Sequence, residues 1–135
     1  MAKYFTISEL TASATASAAG IDNTPSADAL RRLQYLADHT LDAVRELWSR
    51  PITVNSGYRS PELNRRVGGA TGSQHLKGEA ADITTGTAAG NLQLVEMIRK
   101  SGISFDQLID EKHGQWIHIS CRLGSVGNRQ QYLRL

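Results

Sequence analysis

Phe105–Ser120, "FDQLIDEKHGQWIHIS", decides how the chain is read. Two strand-like runs flank Lys112-His113-Gly114, a spacing that predicts a β-hairpin. In the second run Trp116, His118 and Ser120 fall on one face, and Ile117 and Ile119 on the other. The isoleucines belong to a core, so His118 is presented on the opposite side. A sheet is therefore expected that holds an imidazole away from its packed face.

Further strands and helices follow on working outward. "EAADIT" (79–84) reads as a second strand, "ITVNSGYR" (52–59) as a strand running into a turn, and "RQQYLRL" (129–135) as an edge strand. Leu30, Leu33, Ala37, Leu41, Val44 and Trp48 recur at helical spacing, with Thr24 as cap and Pro25 at the first helical position. They predict a helix over about 25–49, closed before Pro51, with His39 off the apolar stripe and exposed. "AAGNLQLVEMIRKSG" (88–102) predicts another helix, stopped at Gly102. Thr6-Ile7-Ser8-Glu9 fits a capping box, and "TASATASAAG" ends at a plausible stop, Gly20. Residues 1–22 are thus a short helix or a surface arm, and "SPELNRRVGGATGS" (60–73) a short helix followed by a glycine-rich loop. The expected class is α+β: helices on a small, mostly antiparallel sheet, in a single domain over 1–135.

Composition sets bounds on this. With 135 residues, 40% hydrophobic and 21% charged, the chain is globular and long enough for a real core. A net charge of +2 gives no ground for nucleic-acid binding, and no aromatic–basic interleaving supports it. Beyond Glu111 only basic charges occur, at Lys112, Arg122, Arg129 and Arg134, a solvated surface or one suited to a polyanion. Cys121 is alone, which excludes an intrachain disulfide and a CxxC site. "MAKYFTISEL" lacks the apolar stretch of a secretory leader, and no run is long enough to span a membrane, so synthesis in a cytoplasm is expected.

The second stretch that bears chemistry is "SQHLKGEAADI", Ser73–Ile83. His75 and Asp82 bracket a turn at Gly78, and Ala80-Ala81 leaves room for close backbone approach. With His118 they make two imidazoles and one carboxylate, the donor set of a hydrolytic zinc site with one coordination position left for water. The residues alone also allow a capped loop with a hydrogen-bonded histidine.

"SQHLKGEAAD" resembles the Ser-x-His-x(6)-Asp signature of the zinc D-Ala-D-Ala carboxypeptidase family, peptidase M15, and "QWIHIS" resembles its distal zinc-histidine strand. "SGYRSPELNRRVGGATGSQH" is similar to the segment leading into that signature, and "FTISELTASATASAAGIDNTP" to the opening of short bacteriophage members. The resemblance covers about Phe5 to Ser120. It implies the compact α+β fold shared with the Hedgehog signalling domain, and one zinc ion on His75, Asp82 and His118. It implies that Arg59 stabilises an oxyanion or holds a carboxylate, and that Ser73 hydrogen-bonds the substrate terminus. Many relatives carry glutamate three residues before the last zinc histidine; here Gln115 stands there and cannot take a proton, but can bind substrate by hydrogen-bonding its oxygen or the attacking water. The general base is then His113, which matches a histidine of the carboxypeptidase branch, or Glu111, with His113 favoured.

The expected activity is zinc-dependent hydrolysis of peptidoglycan stem peptides, as a carboxypeptidase or an endolysin-type endopeptidase. A zinc-stabilised binding or structural protein, such as a phage particle component, is the alternative that Gln115 motivates. A monomer is expected, acting on the wall after release at lysis or as part of a phage particle.

Overall fold

The computed structural model describes residues 2–135. Its centre is a sheet of five strands in the order β1-β2-β4-β3-β5: Thr53–Ser56, Ala80–Thr84, Trp116–Ser120, Gln107–Glu111 and Gln131–Arg134 respectively. Neighbours pair antiparallel except β3 and β5, which run parallel. The tail is therefore an edge strand as expected, entering from the opposite direction to a hairpin partner. The hairpin joins β3 to β4 with Glu111 opposite Trp116, and one rung aligns Ile109, His118 and Asp82 across three strands.

Two helices pack on the face carrying Ile83, Leu108, Ile117 and Ile119, all without solvent exposure. One begins as Ala27–Leu36 (α3), passes through a π turn at Ala37–Leu41, and continues as Asp42–Trp48 (α4). The other is Ala88–Ser101 (α6), which buries Leu94, Val95 and Ile98. Each such aliphatic side chain removed from water contributes about 1.5–3 kcal/mol before entropy is counted. A single apolar cluster runs from Phe5 through the helices to Cys121.

Three local expectations change. The cap of α3 is Ser26, whose side chain accepts from the Ala29 amide, rather than Thr24. Thr24 instead gives its amide to Asp22 Oδ1 in a turn, which leaves Pro25 before the helix instead of inside it. The stripe accordingly buries Ala29 fully and leaves Leu30 half-covered.

The opening segment is not a loose arm. Ile7–Thr11 (α1) carries the expected capping box from Thr6, and Ala14–Ala19 (α2) ends at left-handed Gly20. Phe5, Leu10 and Ala16 are buried. The Leu10 carbonyl accepts the Tyr58 amide at 2.8 Å, which ties this segment to the chain just after β1. No helix among the described residues is long and apolar enough to cross a membrane.

Candidate metal centre

The face of the sheet opposite the helices carries the candidate site. Period-two alternation turns Asp82 on β2, His118 on β4, and Gln107, Ile109 and Glu111 on β3 toward one cleft of about 590 Å³. Across from the strands, the chain rises from β1 through Arg59 into Pro61–Arg66 (α5) and the glycine-rich loop, whose Gly68–Gly72 stretch forms the rim. His75 descends into the cleft from a 3-10 turn at Gln74–Lys77. Ser73 caps that turn by accepting the His75 amide, and Gly78 closes it at φ +78°, where a side chain would also strike the Ala29 carbonyl.

Three donor atoms converge there. His118 Nδ1 lies 3.1 Å and His75 Nε2 3.3 Å from Asp82 Oδ1, and a ligand atom from each of the three residues falls within 4.8 Å of the others. Atoms bound to a tetrahedral zinc at about 2.0–2.1 Å stand about 3.3 Å apart, so the spacing suits one small cation. The tautomer of His75 agrees. Its Nδ1 is 2.7 Å from the Gly57 carbonyl, which can only accept, so Nδ1 holds the proton and Nε2 is left with its lone pair toward Asp82. Gly57 itself is pressed against the Leu10 backbone, where any Cβ would collide, so the N-terminal segment sets the position of this acceptor.

Electrostatics point the same way. Burial by itself would raise the Asp82 carboxyl, yet the His118 and His75 rings beside it, when protonated on the atoms that face it, outweigh burial and hold the group well below the usual carboxylate range. Asp82 is thus an anion set between two imidazoles, one buried and one nearly so. Two neutral nitrogens and one carboxylate oxygen make a zinc-type set that leaves room for a further ligand.

Arg59 stands beside this triad. Burial lowers its pKa and the nearby Asp82 charge raises it, and a guanidinium remains cationic under both. Its Nη1 donates to Asn64 Oδ1 at 3.0 Å, and Asn64 in turn donates to the Ala70 carbonyl, joining the arginine to the loop rim. Arg59 Nε is buried without a hydrogen-bond partner among the described residues.

The remaining sequence candidates divide by strand parity. Glu111 and Trp116, paired across the hairpin, both line the cleft. His113 and Gln115 do not; both are exposed, and His113 sits in the tight turn at φ +57°. Asp110 Oδ1 accepts the Gly114 amide at 2.6 Å, and Asn91 Nδ2 donates to the Gly114 carbonyl at 2.8 Å. These two buried side chains hold the turn so that Glu111 faces the cleft and His113 faces solvent. Ser73 is half-buried on the cleft wall.

Of the other cleft residues, Gln74 carried no sequence signal and Arg129 only its place in the basic end of the chain. Gln74 and Arg129 line the end near Gln107 and meet at Asp106, a carboxylate with no solvent exposure. Asp106 receives Arg129 Nε at 3.0 Å, Arg129 Nη2 at 2.8 Å and Gln74 Nε2 at 3.0 Å. Arg129 chiefly, and Arg122 beside it, keep Asp106 far below the ordinary carboxylate range despite its burial.

The cleft geometry coincides with a family match. The model described as Peptidase M15 matches residues 3–120. The chain belongs to the peptidase M15 family. Within a stretch of 65 residues it is 42% identical to the zinc D-Ala-D-Ala carboxypeptidase of Streptomyces albus G, a match over 47% of this chain and 25% of that protein. The M15 chain thus covers about a quarter of that relative's length. Membership agrees with the α+β architecture and with a His-Asp-His cluster suited to a single zinc ion.

Proposed function

We propose that this M15 chain is a zinc-dependent peptidase that hydrolyses peptide bonds in bacterial wall stem peptides. The observation behind the reading is the convergence of His75 Nε2, Asp82 Oδ1 and His118 Nδ1 in a cleft that Glu111 also lines. These three residues would hold the ion, which when bound supplies Lewis acidity toward a carbonyl oxygen or a water.

The chain's own groups supply the rest. Glu111 is a carboxylate on the cleft wall, diagonal to His118 on the neighbouring strand, and takes a proton from the attacking water and returns it to the leaving amine. We favour it over His113 because parity and the pinned turn keep His113 outside the cleft lining. Arg59, held through Asn64, stabilises the negative charge that develops on the carbonyl oxygen; a donor in that role is worth about 10²–10³ in rate. Ser73 Oγ, which accepts the His75 amide, retains its own proton for a substrate acceptor. Trp116 walls the cleft beside Glu111.

We further propose that internal bonds are cut rather than terminal ones alone. Arg59 and Asp82 also line a second hollow of about 390 Å³, bounded by Ser13, Asn55 and Tyr58. Substrate can extend past the ion on that side as well, which a site built only for a terminal residue does not need. The binding-protein alternative loses its motive, since Gln115 lies off the cleft and Glu111 lies on it.

The test is incubation of purified wall with zinc-loaded protein, scoring new amino groups and identifying the released ends. Wild type should release peptide fragments and His75→Ala should not. Equal inactivity of both, with zinc bound to the wild type, would remove the peptidase reading; release of single terminal residues alone would remove the internal-cleavage part.

A further inference from the structure

Arg129 lies in the segment leading to β5, at the end of the cleft away from Glu111, and three features set it apart from an ordinary surface arginine. Its Nε and Nη2 both grip the buried Asp106, at 3.0 Å and 2.8 Å, so one edge of the guanidinium is anchored. Its Nη1 has no hydrogen-bond partner among the described residues, and the side chain is 47% exposed on a residue that lines the cleft. Of the five N–H donors of a guanidinium, those on the outer edge therefore remain available in the fork geometry that matches a carboxylate.

The charges around this edge balance, and their placement leaves the cation outermost. Gln74 Nε2 bridges Asp106 at 3.0 Å and Glu79 at 3.5 Å, and both acids are buried behind the cleft wall. Arg122 Nε stands 3.4 Å from the same Asp106 oxygen as Arg129 Nε, so the carboxylate is shared by two guanidiniums. The negative groups lie beneath the surface while the Arg129 edge meets solvent. Anchoring also removes most of the rotamer entropy that a free arginine loses on binding.

We propose that Arg129 determines specificity by holding a carboxylate of the peptide substrate away from the bond that is cut. The inference rests on the peptidase reading for its substrate and adds the chemical class: an acidic peptide. Arg129 lies near the Gln107 end of β3 and Glu111 ends that strand, and the backbone between those two ends spans roughly 13 Å. That is about four extended residues. Asp106 acts through Arg129 as a positioning residue.

Binding tests this separately from turnover. Stem peptides released from purified wall are compared with the same peptides after conversion of their carboxyls to amides by carbodiimide and ammonia. Titration calorimetry is run on zinc-loaded Glu111→Gln protein, in which hydrolysis is slowed. The acidic peptides should bind more tightly than the amides, and adding Arg129→Met should cut that preference about tenfold or more, as expected for a charge-assisted pair. Should that variant fail to fold by circular dichroism, Arg129→Lys keeps the charge without the fork and should lose the preference severalfold. No preference in the parent, or equal weakening of both peptides by either substitution, overturns the proposal. Wild-type turnover of the same peptides is scored independently: preference without turnover leaves the anchor and sinks the peptidase, and turnover without preference does the reverse.

Discussion

Two regions of this molecule each hold histidine beside glycine within a few residues of a strand, and they end in opposite conditions. At the β2–β4 rung, His75 is 2% exposed with its Nδ1 committed to the Gly57 carbonyl, and His118 shares a rung with Asp82. At the β3–β4 turn, His113 is exposed at a positive φ with no hydrogen bond of its own among the described residues. A lone pair offered to a metal must be oriented, which the Gly57 contact does for His75 and the paired strand backbone does for His118. The turn is no less well held, but Asp110 and Asn91 hold its backbone and so project Glu111, not His113, over the cleft.

The contrast predicts effects of very different size. Replacing His118 by alanine should abolish stoichiometric zinc binding measured by metal analysis after dialysis, while His113→Ala should retain a full equivalent. Retention of zinc by the His118 variant would show that the rung is not the metal centre. Next, Glu111→Gln should lower kcat by about 10²–10⁴ with zinc still bound, while His113→Ala stays within about twofold. The reverse pattern would move the base to the turn.

A smaller effect concerns stability. Asp106 has a depressed carboxyl in the folded state, chiefly through Arg129, so it contributes stability above its unfolded pKa of about 3.9 that is lost as pH falls toward the folded value. Asp106→Asn should cost about 1–3 kcal/mol at pH 7, a modest sum because both arginines are nearly half exposed and can be resolvated. Denaturant midpoints should then fall less between pH 5 and about pH 2 in the variant than in the wild type. Identical acid profiles would show that the buried carboxylate is not ionised in the fold.

Much of this was legible along the chain, and the residues say why. Strand parity at Ile117, His118 and Ile119, the helical stripe ending at Trp48, and the caps at Thr6 and Gly102 are local properties, set by backbone period and by unsatisfied terminal amides and carbonyls. The helix α3 starts two residues beyond Pro25 because Thr24 and Ser26 both qualify as caps, and packing of Ala29 chooses between them.

The amino-acid order by itself determined the fold class, since periodicity travels with the chain, and through the family signature it named the three candidate donors. Which carboxylate or imidazole shares the cleft with them was decided by tertiary structure. Glu111 and His113 both lie within one hairpin of His118, and the pinned turn separates them. The Asp106–Arg129 pair is likewise a product of β5 joining the sheet parallel to β3, because contacts between distant segments follow from packing and leave no local pattern to read.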